Sequence, residues 1–300
     1  MIEYDVHRWR NHFFDVRGSM VREIMYRVLS CLVIAVVVTS IDRTYKSLAF
    51  SDKAHSLVSV ALGLLLVFRT NAAYDRFWEG RKLWGAMVNS SRNLARSTVV
   101  LLVERPALVR RQLLLTAAFA YASMQRLRDG RGLGAFRDEL SAELDPTDRS
   151  FVAELENAAH PPLAIAVKLS AGIKGARDTG VVTDYQQLAL DQNVQLLVDC
   201  IGACERIHRT PLPFAYVVHL RRALILYCYS LPFVLLPVFG WATIAVTVLL
   251  SYVLLGIEEI GVEICDPFGT DDNDLPLDRL CATIAKDLRA LLPAPVPLST

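Results

Sequence analysis

The sequence predicts an all-α membrane protein in which four transmembrane helices continue into a cytoplasmic helical bundle. Hydrophobic residues make up 53% of the 300-residue chain, and the mean hydropathy of +0.33 favours a membrane protein over two soluble domains. Three segments are strongly hydrophobic, at 24–41, 213–236 and 237–257. Each is close to the length of about 17–25 residues that a helix needs to cross the hydrocarbon core of a bilayer.

The remaining predicted span is the second in chain order. It begins the stretch around which the chain is organised, Ser56 to Arg96. Residues 56–68 carry no charge, whereas Arg69 begins a part in which charged and aromatic residues alternate. Because no proline interrupts the stretch, we expect one helix, from about 54 to 98, to continue from apolar surroundings into water. The apolar part rises only about 20 Å, less than the ~30 Å hydrocarbon core. This favours a helix that lines the middle of a membrane oligomer over one surrounded by lipid.

The distribution of charge divides the chain and orients it in the membrane. Basic residues cluster before the first span, after the central helix and before the third span, so the positive-inside rule places both termini in the cytoplasm. The predicted segments are an N-terminal interfacial segment (1–20), transmembrane helices 1 and 2 (21–69), a cytoplasmic helical region (70–210), transmembrane helices 3 and 4 (211–257) and a cytoplasmic C-terminal segment with an acidic loop (258–300).

The extramembrane parts read mostly as helices. Longer helices are expected at 163–176, 183–207 and 277–292, and two short amphipathic helices at 140–162, where Pro161 and Pro162 mark a stop. The basic, glycine-rich part at 126–137 is expected to form turns.

Composition and motifs exclude several functions. The 32 basic and 31 acidic residues nearly balance, so nothing favours nucleic acid as a partner. No catalytic motif of the GxSxG, HExxH or P-loop type occurs, and the six histidines do not group. The sequence therefore predicts no enzyme and no required cofactor. The six cysteines lack zinc-type spacing and are expected as buried free thiols.

An apolar stripe runs along the first part of the central stretch. Val60, Leu64 and Phe68 repeat every four residues, and Ser56 extends the same line, so they share one face of a helix. Such a stripe is usually core. The alternative is a hydrophobic constriction of an ion pore, which the short, uncharged run ending at Arg69 favours, because such constrictions gate ions by dewetting.

Two motifs give the chain a family resemblance. The stretch FRTNAAYDRFWEGRKLWG (68–85) and the patch DPFGTDDND (266–274) lie far apart and in the expected order, and the second follows a hydrophobic segment. Together they resemble the bestrophin family in its bacterial branch. The resemblance implies a homopentamer with one central pore, in which five copies of the second helix line a neck with Val60, Leu64 and Phe68 facing inward.

The resemblance also implies passive conduction of monovalent ions across the bacterial inner membrane. A second, lower aperture is implied near the turn at 178–184, with Val181 or Val182 as candidates. Animal members conduct anions such as chloride, whereas the bacterial branch is associated with monovalent cations. Cations are therefore slightly favoured for a member of the bacterial branch. Asp178 and Asp184 could ring the lower vestibule and would also favour cations.

The acidic run Asp271, Asp272 and Asp274 suits calcium by residue type. In animal bestrophins a calcium clasp uses this loop, and Asp271 and Asp274 match its side-chain ligands, whereas Thr270 replaces a glutamate. The alternative is helix capping and charge pairing with Arg279, Lys286 or the arginines that follow Phe68. We expect this loop to lie at the membrane–cytoplasm boundary, packed against the helix that follows Phe68.

Three glutamates, Glu258, Glu259 and Glu263, follow the last predicted span. Charges at a packed membrane boundary need partners, and we expect these carboxylates to pair with Arg69, Arg76 or Arg81 on neighbouring helices.

The alternative function is a non-conducting membrane receptor or scaffold whose cytoplasmic bundle binds a partner. Apart from such a partner, the predicted partners are other copies of the chain, the lipid bilayer and monovalent ions. Oligomeric mass in detergent and ion flux in liposomes separate the two functions.

Overall fold

A computed structural model describes residues 19–44, 48, 51–130, 133–139, 154–155 and 158–293, and in these ranges the regular structure is helical. The helices are α1 (Val21–Thr44), α2 (Asp52–Leu101), α3 (Pro106–Leu127), α4 (Gly134–Glu139), α5 (Pro161–Asp178), α6 (Asp184–Arg209), α7 (Phe214–Phe239), α8 (Thr243–Glu263) and α9 (Leu277–Arg289), with a 3-10 helix at Gly240–Ala242.

The long helix α2 confirms the prediction of one unbroken helix through Phe68 and Arg69. Its 50 residues extend about 75 Å at 1.5 Å per residue. A buried stripe with helical spacing runs along it and includes Leu62, Leu66, Ala73 and Trp84. Its apolar and charged parts therefore belong to one continuous helix.

The chain divides into two compact units. The first holds α1, α2 as far as Trp78, α7, α8 and the turns at 264–267 and 271–274. Within it α1, α7 and α8 contact one another. Its core consists of the apolar side chains of Ile24, Val28, Cys31, Leu62, Leu66, Leu220, Leu224, Cys228 and Leu255.

Small side chains bring two of these helices close together. The face of α8 that lies within the first unit carries Thr243, Thr247 and Ser251, all fully buried and spaced four residues apart. Such small residues allow helix backbones to approach closely in a membrane, where packing rather than the hydrophobic effect drives association. A face of this kind suits the contacts that α8 makes with α1 and α7.

Three segments of the described chain are long and apolar enough to cross a membrane. They are Val21–Asp42, Asp52–Leu101 and Phe214–Glu263. The third comprises α7, the 3-10 helix and α8, and α7 and α8 contact each other. At their junction Gly240 has a φ of +51°, a left-handed conformation that glycine adopts without steric cost.

The second unit is built around α3. It holds the rest of α2 together with α3 to α6 and α9, and α3 contacts α4, α5, α6 and α9. Residues 112–124 of α3 are buried without interruption, which agrees with the expectation of a helix in a packed bundle. The helix α9 turns one apolar face inward, through Leu277, Cys281, Ile284 and Leu288.

The structure differs from the sequence expectation at two places in this unit. The 126–137 part was expected to form turns, but α4 begins at Gly134 because Leu133 and Phe136 are buried and fix the chain there. Pro161 and Pro162 begin α5 rather than ending a preceding helix, since proline fits the first helical turn.

Other expectations lie partly outside the described residues. These include most of the N-terminal segment 1–20 and most of the helices expected at 140–162. The helices expected at 163–176, 183–207 and 277–292 are confirmed as α5, α6 and α9, with ends that move by up to three residues. All six cysteines are free, as expected, and five are buried, whereas Cys265 is partly exposed.

Candidate ion-conducting site

The predicted neck residues lie on a face of α2 that the chain itself leaves open. Val60 is 64% exposed, Leu64 55% and Phe68 63%, and Ser56 is also exposed. On the opposite face Leu62 and Leu66 are each 3% exposed and belong to the core of the first unit. The stripe is therefore not part of the chain's own core.

The open stripe continues beyond Phe68 with polar side chains. Asn71 and Asp75 are exposed and follow Phe68 at helical spacing. One face of a single helix thus changes from apolar to polar within two turns. A hydrophobic constriction above a water-filled vestibule requires an apolar section of the lining helix followed by a polar one.

The two candidates for a lower aperture differ in exposure. Val181 is partly exposed, whereas Val182 is 4% exposed and contributes to the core of the second unit. The Val181 N–H donates to the carbonyl of Ala176 at 2.9 Å, directly after Gly180 with its φ of +74°. This tight turn leaves Val181, rather than Val182, with surface that could line a pore.

The acidic candidates near this turn are paired. Asp178 accepts from Lys174 and from Arg177, and these hydrogen bonds hold its pKa below the ordinary value. Arg177 Nε also donates to Asp184 Oδ1 at 2.6 Å. Two basic and two acidic groups therefore offset one another, and the carboxylates do not form an unbalanced acidic surface.

The acidic loop is closed by hydrogen bonds within itself. Asp274 is 3% exposed, its Oδ2 accepts from Asp271 N at 2.7 Å, and its N–H donates to the Asp271 carbonyl at 3.1 Å. Burial, with the nearby carboxylates of Asp271, Asp266 and Glu263, raises the pKa of Asp274 to about 6. The loop thus keeps a buried carboxylate that stabilises a turn.

The same loop is the calcium candidate of the sequence analysis. Calcium takes roughly six to eight oxygen ligands, yet no group of three or more His, Cys, Asp or Glu side chains there is placed to hold a metal ion. One oxygen of Asp274 is already used by the Asp271 N–H. The contacts of Asp274 are those of the capping alternative, and calcium binding by Asp271 and Asp274 stays a prediction.

The segment that leads into the acidic loop is fixed to α2, in line with the expected packing against the helix after Phe68. Arg76 Nε donates to the Cys265 carbonyl at 3.0 Å, and Arg76 Nη1 donates to the Thr210 carbonyl at 2.5 Å. Both carbonyls lie next to helix ends, where backbone acceptors lack helical partners.

Two of the three glutamates after the last predicted span are paired, but with other arginines than expected. Glu258, 1% exposed, accepts from Arg221 Nε at 2.9 Å. Arg27 Nη1 lies 2.5 Å from Glu259 and 3.7 Å from Glu258. The prediction of Arg69, Arg76 or Arg81 as partners was wrong for Glu258 and Glu259, because α1 and α7 bring their own arginines to the same level of α8.

The sequence analysis missed this cluster as a unit, although arginines inside the apolar segments at 24–41 and 213–236 were a visible signal. An arginine there needs a buried partner or access to water. Arg69, one of the expected partners, is 3% exposed, and its Nε and Nη1 have no hydrogen-bond partner among the described residues.

Comparison with known proteins places these features in a family. A family model for the bacterial and fungal bestrophin proteins matches residues 1–290. A voltage-dependent anion channel-forming protein of Synechocystis is 40% identical over 291 residues, covering 96% of this chain and 92% of that protein. A protein of the same description from Nostoc is 41% identical over 293 residues, covering 95% and 93%. YneE of Escherichia coli, also so described, is 32% identical over 290 residues, covering 96% and 93%.

Solved structures agree. The crystal structure of a bacterial bestrophin homologue from Klebsiella pneumoniae superposes with a TM-score of 0.82 at 30% identity, covering 90% of this chain and 98% of that chain. The two sequence motifs, the helical fold and these matches lead to the same conclusion: the chain belongs to the bacterial and fungal bestrophin family, whose members are membrane ion channels and not enzymes.

Proposed function

We propose that five copies of this chain surround one central pore, with α2 of each copy lining a hydrophobic neck. The observation that carries the proposal is the exposed apolar stripe Val60, Leu64 and Phe68 on a helix whose opposite face is buried. A face exposed to bulk water does not favour three large apolar residues in one line. A face exposed to lipid gives no reason for the apolar line to continue into polar residues.

The neck would restrict ions by dewetting. Five copies of the stripe form three apolar rings, and no side chain in them hydrogen-bonds to water. An ion that enters such a ring loses part of its hydration shell, which is costly without replacement ligands. Phe68 has the largest side chain of the three and lies next to the charged part of α2. It therefore sets the narrowest ring, and conduction past it is passive.

We further propose four membrane spans, formed by α1, the first part of α2, α7 and α8. At 1.5 Å per residue, the 26 residues of α7 and the 21 of α8 extend about 39 and 31 Å, so each suffices for a ~30 Å hydrocarbon core. Their mutual contact supports two antiparallel spans rather than one. Both termini and the second unit then lie in the cytoplasm, with the spans in the bacterial inner membrane.

For the ion sign we propose anions. The expectation of cations rested on the bacterial branch and on Asp178 and Asp184, and both carboxylates are offset by Lys174 and Arg177. The relatives are described as anion channel-forming proteins. At the lower aperture we propose Val181, since Val182 is used in the core.

Two measurements on purified protein test the function. Native mass spectrometry in detergent is expected to give five times the chain mass, and liposomes are expected to show ion flux. A monomer or dimer without flux would refute the channel and leave the receptor or scaffold. A planar bilayer with asymmetric NaCl then gives the ion sign, since a reversal potential near the chloride equilibrium potential supports anions and one near that of sodium refutes them.

A further inference from the structure

A cavity of about 570 Å³ lies beside the second half of α8, and the described residues that line it all belong to the first unit. One face of α8, from Tyr252 to Ile264, forms its longest wall, with lining residues at the three- and four-residue spacing of a helical face. The start of α1, a part of α2 and the acidic loop supply other walls, through Met20, Tyr74 and Asn273 among others. Cavities that bind small molecules commonly measure about 300–1,000 Å³, so this one has room for a ligand.

Most of the lining is apolar and open to the surroundings. Val253, Ile257 and Ile260 are 45%, 37% and 44% exposed. Between them Gly256 carries no side chain, and a Cβ there would meet only Ile24 Cδ1 within 4 Å, at 3.8 Å. An exposed apolar surface of this kind marks a binding groove or a contact with a membrane or a protein.

One end of the cavity carries a carboxylate. Glu263, the last residue of α8, lines the cavity together with Asn273, and their side chains are hydrogen-bonded. The charges that act on Glu263 most strongly are those of Glu23, Asp271 and Glu259, all acidic. Among the described residues, no basic side chain lies within ion-pair distance of Glu263. This end of the cavity therefore suits a cation.

The arginines near this end of α8 are directed elsewhere. Arg27 and Arg221 pair with the two glutamates that come earlier on α8. Arg76 donates to backbone carbonyls, and Arg69 lies against the buried face of α8. The following loop, 264–274, contains four aspartates and no basic residue. Acidic groups are thus in excess here among the described residues, and a ligand that brings a cation would offset part of that excess.

The length of the cavity matches one leaflet of a bilayer. Tyr252 and Glu263 lie about 16 Å apart along α8 at 1.5 Å per residue, which is half of the ~30 Å hydrocarbon core. Glu263 ends the helix about 30 Å beyond Thr243, at the level where headgroups begin if α8 spans the membrane. An acyl chain that runs along α8 would therefore bring its headgroup to Glu263.

We propose that this cavity binds one phospholipid whose headgroup ends in a primary amine, with an acyl chain along α8 and the ammonium group at Glu263. The ammonium donates charge-assisted hydrogen bonds to the carboxylate, and the apolar wall contacts the chain. This inference rests on the proposed membrane span of α8 but not on the proposed pore.

Thermal unfolding in detergent tests the headgroup preference. Delipidated protein is mixed with phosphatidylethanolamine, phosphatidylcholine or phosphatidylglycerol that carry the same acyl chains. A ligand that binds the folded state raises the Tm as its concentration rises. We expect phosphatidylethanolamine to raise the Tm most, because the choline group has no N–H donor and the glycerol group has no cation. Equal rises with all three lipids would overturn the proposal.

Glu263→Gln removes the charge of the carboxylate while an amide that can still bond to Asn273 remains. We expect this variant to lose the preference for phosphatidylethanolamine. Glu23→Gln is the matched control, since it removes a carboxylate that acts on Glu263 but is not among the residues that line the cavity. It is expected to keep the preference. An unchanged preference in Glu263→Gln would overturn the proposal.

Gly256→Leu tests the place of the acyl chain. The new side chain enters the cavity, and the room around its Cβ lets the helix keep its packing. Native mass spectrometry is expected to show one retained phosphatidylethanolamine per wild-type chain and none in Gly256→Leu, with the same oligomeric mass. If another copy of the chain filled the cavity, Gly256→Leu would weaken the oligomer and leave the lipid count unchanged, which would overturn the proposal.

Neither measurement uses conduction, so the lipid site and the pore can fail separately. A protein that binds the lipid selectively but passes no ions would refute the channel and support the site. A conducting oligomer without headgroup preference would refute the site alone.

Discussion

Arg221 Nε donates to Glu258 Oε1 at 2.9 Å, and the two side chains differ greatly in exposure. Arg221 is 46% exposed, whereas Glu258 is 2% exposed. The pair thus holds a buried carboxylate in place through a cation that reaches the surface. Removing Arg221 leaves a buried carboxylate, whereas removing Glu258 leaves an arginine that water can reach. The two changes should therefore lower the free energy of unfolding by different amounts.

We predict that Arg221→Met destabilises the protein more than Glu258→Gln does. The first change leaves a buried carboxylate with only Arg27 at 3.7 Å, at a cost of about 3 kcal/mol. The second leaves a half-exposed arginine that water can solvate, at a cost of about 1 kcal/mol. Thermal unfolding in detergent gives the order of the two Tm values. The reverse order would mean that Arg27 alone suffices for Glu258.

Much of the first unit could be predicted from the sequence, because local patterns specify helices. The absence of proline from 56–96 predicted the helix α2, and the four-residue repeat predicted that Val60 and Phe68 share one face of it. The partners of Glu258 could not be predicted, since they depend on how α1, α7 and α8 align along their axes. Sequence spacing within one helix carries no information on that alignment.

The candidate residues of the second unit show the same limit. The turn at 178–184 was recognised from its residues, but Val181 and Val182 are adjacent and equally apolar. Only packing decides which is buried, and it buries Val182. Likewise, the pairing of Asp184 with Arg177 depends on the turn bringing two helix ends together.

We predict that Asp274 makes stability fall as the pH rises from about 4 to above 6. Its folded pKa of about 6 lies above the unfolded value of about 3.9, so the folded state holds the proton more tightly. The contribution is therefore fully present below the unfolded pKa and is lost as the pH passes the folded one. Burial is the main cause, and Asp271, Asp266 and Glu263 add to it.

The measurement is the Tm of wild type and Asp274→Asn across this pH range, with EDTA present throughout to remove calcium. Asparagine keeps an oxygen that can accept from the Asp271 N–H. The variant is expected to lose part of the decline between about pH 4 and 6. Parallel curves for the two proteins would show that Asp274 does not titrate there.

We predict that the double variant Asp178→Asn with Asp184→Asn shifts permeability toward anions. The change leaves Lys174 and Arg177 without their carboxylates, which adds two positive charges per chain at the turn. If five such turns surround the pore, the reversal potential in asymmetric NaCl moves toward the chloride equilibrium potential. Lys168→Gln, a change of one basic charge elsewhere on α5, is the control and should leave the potential unchanged. An unaltered potential in the double variant would place the turn away from the ion path.

The neck makes the most direct prediction, because two neighbouring residues of α2 should respond in opposite ways. Phe68 is 63% exposed, so Phe68→Ala leaves no cavity in the chain's core. It widens the narrowest apolar ring, and flux in liposomes should rise while the oligomer stays intact. Leu66 is 3% exposed and belongs to the core. Leu66→Ala should cost about 2–5 kcal/mol and reduce the yield of assembled protein.

Flux per oligomer, together with the mass in detergent, decides the outcome for each variant. If the stripe were an ordinary helix–helix contact between copies, Phe68→Ala would behave like Leu66→Ala, with a weakened oligomer and equal or lower flux. That result would move the constriction to another part of the chain. Higher flux in Phe68→Ala, with an intact oligomer and a normal Tm, requires that the Phe68 side chain stands in the ion path, because no other role of an exposed residue on this helix links its size to conduction.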